Sequence, residues 1–175
     1  MARRSAGVLL FRRKDPHLEV LLAHPGGPLW AKKDEGAWSI PKGLIEEDED
    51  PLVAAKREFK EETGFLPRGT FIELGNYKQP GGKLILAWAV KGDFDPRNFK
   101  CNYFSMPWPP KSGWIKKFPE IDRVAWFEAS DAAGKISRGQ RPIIEELVRR
   151  LEIEGKRSRK TSRPRRRVPT RAKRQ

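Results

Sequence analysis

The chain has a single cysteine, Cys101, among 175 residues. One thiol excludes an internal disulfide and suits a reducing compartment. Long apolar runs are also missing. MARRSAGVLLF begins basic and turns apolar, but that run is too short for a secretory signal, and no window approaches a membrane span. These absences lead to the expectation of a soluble, cytoplasmic protein. Acids are lacking in one place. Residues 155–175, GKRSRKTSRPRRRVPTRAKRQ, hold eleven Lys and Arg and no Asp or Glu. They account for eleven of the formal +14 charges and leave residues 1–154 at only +3. The high isoelectric point therefore belongs to the end of the chain.

This asymmetry implies one domain, residues 1–154, followed by a tail, 155–175. The length suffices for a proper core. The tail combines like charges with no apolar periodicity, which reads as disorder. Its chemistry suits non-specific contact with RNA, DNA or other polyanions through phosphate neutralisation. It carries no aromatics, which argues against a base-stacking module there.

The most informative stretch is GLIEEDEDPLVAAKREFKEETGF, residues 43–65. Asp50-Pro51 reads as a helix start, with a capping oxygen followed by a ring set to helical φ. Gly64 reads as the matching stop. Between them Leu52, Ala55, Phe59 and Thr63 form a stripe that can face a core. Glu58, Glu61 and Glu62 stand at i, i+3 and i+4, so their carboxylates converge on one side. Carboxylates so close repel one another unless a positive charge sits among them, and a divalent cation answers that need. A solvated, salt-bridged face is the plainer alternative for such a helix taken alone.

The wider pattern decides between these readings. Gly43, five residues, Glu49, seven residues, Arg57-Glu58-Phe59, one residue, Glu61-Glu62, one residue and Gly64-Phe65 resembles the complete Nudix box. Seven identities, at roughly one in fifteen each, recur by chance on the order of once in a hundred million windows. Phe59 stands where the family more often has an aliphatic residue, and it keeps the apolar character.

The resemblance implies an α/β/α sandwich with a mixed sheet. It also implies a Mg²⁺- or Mn²⁺-dependent hydrolase acting on a nucleoside diphosphate linked to another group. Carried onto this chain, Glu61 and Glu62 resemble the principal metal ligands. Glu58 resembles a further ligand or the general base. Arg57 resembles an orienting partner, and Gly43 a backbone carbonyl ligand. Hard oxygen donors suit Mg²⁺, which keeps waters and bridges phosphate oxygens. No covalent nucleophile is evident.

Along the chain, residues 5–11 and 18–24 read as a strand pair, as do 70–78 and 84–90 around Gln79-Pro80-Gly81-Gly82-Lys83. Residues 24–36 form a long loop. In it Trp30 is placed either to stack on a base or to pack on the sheet, and Lys32 and Lys33 either to meet phosphate or to face water. Trp38-Ser39-Ile40-Pro41-Lys42 leads into the box, with Trp38 read as core and Lys42 as a phosphate contact. Tyr77, Lys78 and Lys83 lie near the second turn, where Nudix subfamilies often place substrate-reading residues. The spacing from Lys83 to Trp88 resembles a strand of the asymmetrical diadenosine tetraphosphate hydrolases.

Residues 95–119 read as a long aromatic and proline-rich connection. Its Lys111, Lys116 and Lys117 are placed to meet polyphosphate, and Tyr103, Phe104, Trp108 or Trp114 to stack on a base, although most of these rings are expected simply to hold the loop to the sheet. Glu120, six residues before Trp126, resembles the place where several Nudix enzymes supply a carboxylate from outside the box. It is a metal ligand or base on that reading, and a surface glutamate otherwise. Residues 140–153 read as an amphipathic helix packing through Ile143, Ile144, Leu147 and Leu151.

Three functions follow. The first is hydrolysis of a phosphoanhydride in a dinucleoside polyphosphate or nucleoside triphosphate. The second is RNA 5′-pyrophosphohydrolysis. The third, from another class, is a Nudix-fold binding module that has lost catalysis.

Overall fold

The computed structural model describes residues 3–161. The strands are β1 (Arg4–Lys14), β2 (His17–Pro25), β3 (Lys42–Leu44), β4 (Phe71–Lys78), β5 (Leu84–Lys91), β6 (Tyr103–Pro107), β7 (Ile115–Pro119) and β8 (Ile121–Glu128). The helices are α1 (Pro51–Thr63), α2 (Ala129–Lys135) and α3 (Arg141–Thr161). A mixed sheet runs β4-β5-β1-β2-β8, with β3 also paired to β1. Within it β1 and β5 are parallel and the other pairs antiparallel. A separate two-stranded sheet joins β6 and β7.

β1 explains the layering. Its run Ala6–Phe11 is apolar without alternation because both faces are covered. Ala6, Val8 and Leu10 pack with Ala54, Ala55 and Phe59 of α1. Leu9 and Phe11 pack with Ile143, Ile144, Leu147 and Leu151 of α3. The result is an α/β/α sandwich with one apolar layer on each side of the sheet.

α1 begins and ends on the expected residues. Asp50 Oδ1 accepts the backbone N–H groups of Leu52 and Val53 at 2.9 and 3.0 Å, Pro51 sits in the first turn, and Gly64 closes the helix at φ 77°. The buried stripe is Ala54, Ala55, Phe59 and Thr63. Leu52 is only half-buried, because Ala54 takes the place against the sheet.

Two further corrections concern length and content. The connection over 95–119 contains a hairpin, whose alternation of half-buried Phe104 and Met106 with exposed Tyr103 and Ser105 is hidden among prolines. α3 runs over Arg141–Thr161, longer than the helix read at 140–153, so residues 155–161 continue it. That extension is exposed as far as its side chains are described and carries no apolar period to announce it. The disorder expected of residues 162–175 lies outside the described residues. Among the described residues, no helix is long and apolar enough to cross a membrane.

Candidate active site

α1 turns its buried stripe to the sheet, and this aims the other side of its last two turns at β3. There Arg57 ties three acids together. Its Nε and Nη2 donate to the two oxygens of Glu49 at 2.8 and 2.9 Å. Its Nη1 donates to Glu58 at 2.8 Å and reaches Glu61 at 3.4 Å, while Nη2 also donates to the Leu44 carbonyl at 3.0 Å. The planar fork of arginine suits such a splint. Arg57 holds the Glu49 carboxyl down at about 2. Glu49, at a box position but without a role in the sequence reading, is thus the second half of the splint.

The other carboxylates have less compensation. The Glu58 carboxyl lies against the backbone of Gly43, where an added Cβ would sit 2.0 Å from its carboxyl carbon. Glycine is the residue that permits this approach. Burial pushes Glu58 above the usual carboxylate range, against the pull of Arg57, with Glu61 and Glu120 adding to the rise. Glu62 accepts the Lys42 N–H at 3.0 Å. Burial still raises it to about 7, with Lys42 opposing and the charges of Glu58 and Glu120 assisting. Lys83 shares this environment: burial, then Lys42 and Arg3, hold its amine below the usual lysine range, while Glu58 and Glu62 act the other way.

Glu120, the acid outside the box, thus brings its charge to bear on both Glu58 and Glu62. It sits between β7 and β8, where its carbonyl accepts the Gly26 N–H at 2.8 Å and its N–H donates to the Asn102 carbonyl at 2.9 Å. Each residue of this Glu120–Asn102 pair lines a cleft. One, of about 450 Å³, is lined by Gly27, Leu29, Trp30, Phe104, Met106 and Glu120. The other, of about 440 Å³, holds Arg57, Glu61, Lys100 and Asn102. His24 fixes the loop that carries Trp30: fully buried, it hydrogen-bonds Asp122 and the Lys33 carbonyl, both at 2.7 Å.

The remaining residues are placed as follows. Trp38 is buried and donates to Asp34 at 2.8 Å. Trp30 is 38% exposed on the rim of the larger cleft, with the Lys33 amine 4.6 Å from its ring centre. Tyr77 is not brought to the carboxylates. It packs in the α3 layer, donates to the Leu74 carbonyl at 2.8 Å and feels the charges of Glu146, Arg150 and Arg149. Lys78, its exposed neighbour, pairs in register with Leu84 beside the turn of the same hairpin. Phe104, one of the candidate stacking rings, lines this cleft; Met106 beside it has no separate signal in the sequence, and only the hairpin carries both to Trp30.

The donor set fits a divalent cation. Glu58, Glu61 and Glu62 supply hard oxygens on one side of α1, two of them raised by burial against the pull of Arg57 and Lys42. Among the described residues no three acidic, His or Cys side chains form a tight cage. An ion that retains several waters and shares its sphere with phosphate needs none.

With this geometry in view, comparison with known proteins is informative. A profile of the NUDIX domain matches residues 1–147. The chain belongs to the NUDIX domain family. An 8-oxo-(d)GTP phosphatase of Mycolicibacterium smegmatis is 27% identical over 162 residues, 84% of this chain and 42% of that protein. An RNA pyrophosphohydrolase of Hahella chejuensis is 37% identical over 62 residues, 34% of this chain and 38% of that one. The chain thus spans about two fifths of the length of these curated relatives. Two solved NUDIX folds superpose with a TM-score of 0.60. They are a Caenorhabditis elegans Ap4A hydrolase in a binary complex (20% identity, 86% of this chain and 98% of that one) and the NUDIX domain of Shewanella oneidensis NrtR with ADP ribose (19%, 86% and 89%).

Proposed function

We propose that the chain hydrolyses a phosphoanhydride bond in a nucleoside diphosphate linked to another group, with a dinucleoside polyphosphate or a nucleoside triphosphate as substrate. The observation that carries this reading is the convergence of Glu58, Glu62 and Glu120, close enough for Glu120 to act on both of the others, beside an apolar cleft that offers Trp30 and Phe104. Glu61 and Glu62 would hold a Mg²⁺ or Mn²⁺ ion, joined by Glu58, Glu120 and the Gly43 carbonyl. When bound, such an ion lowers the pKa of a coordinated water and neutralises charge on the pyrophosphate.

The protein's own groups do the rest. Arg57 holds Glu58 and Glu61 at fixed positions through the Glu49 splint. Glu58, raised by burial and kept against Gly43, accepts the proton of the attacking water. Glu120 is the second carboxylate in reach of that role. Lys42 and Lys83 balance phosphate charge, and the Trp30 cleft receives a base. Glu49, drawn down by Arg57, remains ionised and fixed.

The test is a product analysis with Mg²⁺ across a nucleoside triphosphate, diadenosine polyphosphates, ADP-ribose and a 5′-triphosphate RNA, wild type beside Glu61→Gln. Strong turnover of a dinucleoside polyphosphate or triphosphate, lost in the variant, is the expected result. Preferred turnover of the RNA would move the assignment to RNA 5′-pyrophosphohydrolysis, a reading favoured by the basic end of the chain. Silence on every substrate from folded protein would leave a binding module.

A further inference from the structure

The β6–β7 hairpin is composed unlike the rest of the molecule. Residues 96–119 contain five Lys and Arg and no acid, interleaved with six aromatic rings. Arg97 is paired with Asp95. Lys100, Lys111, Lys116 and Lys117 form no ion pair among the described residues, and all four are exposed. Elsewhere the large rings are mostly packed away, yet here Tyr103 is 58% and Trp114 71% exposed, beside the exposed aliphatic Ile115.

The register assigns these groups to two faces. Phe104 opposes Phe118 and Met106 opposes Lys116, so these four share the face that borders the Glu120 cleft. Ser105 opposes Lys117 and Pro107 opposes Ile115 on the outer face, where the Lys117 amine lies 5.2 Å from the Tyr103 ring centre. Trp114 stands at the tip, its carbonyl accepting the Trp108 N–H at 2.8 Å.

The root of the hairpin is fixed to the active centre. A Cβ on Gly26 would meet the Pro119 carbonyl oxygen at 2.0 Å, and one on Gly27 would meet the Phe104 ring at 2.9 Å. Chain order then leads from Pro119 directly into Glu120. The hairpin is therefore an arm whose base is the wall of the cleft and whose free length presents rings and unpaired cations to solvent.

We propose that this hairpin binds single-stranded nucleic acid. Rings supply stacking surfaces that every base can use, and the lysines track phosphates, which is the general composition of a single-strand platform. A second copy of the chain is the competing occupant. It would bring the hairpin's Lys111, Lys116 and Lys117 against the same three lysines, whereas a polyanion neutralises them. A strand seated along the arm has its end beside Glu120. That orientation rests on the hydrolase reading given above; the binding itself does not.

The experiment titrates the full-length protein into a short labelled single-stranded oligonucleotide bearing a 5′-hydroxyl, read by fluorescence anisotropy across salt concentrations. Such a probe has no phosphoanhydride, so hydrolysis plays no part in the signal. The basic end of the chain contributes equally to every variant. Trp114→Ala should weaken binding about fivefold or more with an unchanged salt slope. Lys116→Gln with Lys117→Gln should lower the slope of log affinity against log salt by about 1.4. All three side chains are exposed, and circular dichroism confirms folding. Affinities and slopes equal to wild type in both variants would overturn the proposal. So would a wild-type dimer in sedimentation that Trp114→Ala converts to monomer without any effect on the oligonucleotide. If wild type hydrolyses nothing while the hairpin variants still lose affinity, the hydrolase reading fails and this one stands.

Discussion

α1 and α3 cover opposite faces of one sheet, and both place a glutamate among charged neighbours on their polar sides. On α3, Glu146 accepts from Arg149 at 2.7 Å and from Arg150 at 2.7 Å, and the two guanidinium groups hold it down at about 2. On α1, Glu62 has one backbone donor and the nearby Lys42 amine, and burial pushes it up to about 7. Arg57 is committed to Glu49, Glu58 and Glu61. α3 satisfies its own charges and serves packing. α1 carries carboxylates that burial raises, and groups perturbed in this way cluster at functional sites.

Breaking each side of the comparison gives the largest contrast. Glu58→Gln should lower kcat on the best nucleotide substrate by roughly 10²–10⁴-fold, the usual worth of a positioned base. Glu120→Gln, assayed beside it, tests the second carboxylate; a larger loss there would transfer the role. Glu146→Gln should leave kcat unchanged and alter stability by no more than about 1 kcal/mol.

The pH dependence of stability, measured by urea denaturation in EDTA, should carry opposite slopes from the two helices. The folded pKa of Glu62, about 7, lies above its ordinary 4.5, so its contribution is fully present below 4.5 and is lost as pH rises to about 7. The loss is on the order of 3 kcal/mol. Glu146 lies at about 2, so its contribution is present above 4.5 and lost as pH falls through about 2. Glu62→Gln should flatten the upper limb alone, and Mg²⁺ should restore wild-type stability at pH 8. An unchanged upper limb in that variant would falsify the assignment.

Gly43→Ala sharpens the comparison on the α1 side. The new methyl group overlaps the Glu58 carboxyl, and displacing a catalytic group by about 1 Å costs roughly 100-fold in turnover. The smallest effect is expected on the α3 side. Tyr77→Phe removes the bond to the Leu74 carbonyl and should cost about 1 kcal/mol in thermal or urea unfolding, with KM unchanged. A raised KM would return Tyr77 to the substrate site.

The positions legible from sequence share one property: they depend on local rules. Asp50, Pro51 and Gly64 bound a helix by capping and backbone preference, which act within a few residues. Periodicity placed Ile143, Ile144, Leu147 and Leu151 on one face for the same reason. Spacing alone set Glu58, Glu61 and Glu62 side by side. The hairpin at 103–119 escaped because its prolines and exposed rings mask a two-residue alternation. Tyr77 lies one strand face away from the carboxylates, a matter of parity in β4 that nearness in sequence cannot supply.

By itself the sequence determined the family, the helix that carries the carboxylates and the excess of positive charge at the chain's end. These follow from local spacing and composition. Tertiary structure alone decided that Arg57 is occupied by Glu49, that the Glu58 carboxyl rests on Gly43 and that Glu120 acts on the box from the junction of β7 and β8. It also decided that Phe104 meets Trp30 across a cleft. Each of these joins residues from different elements, and only packing brings such partners within reach of one another.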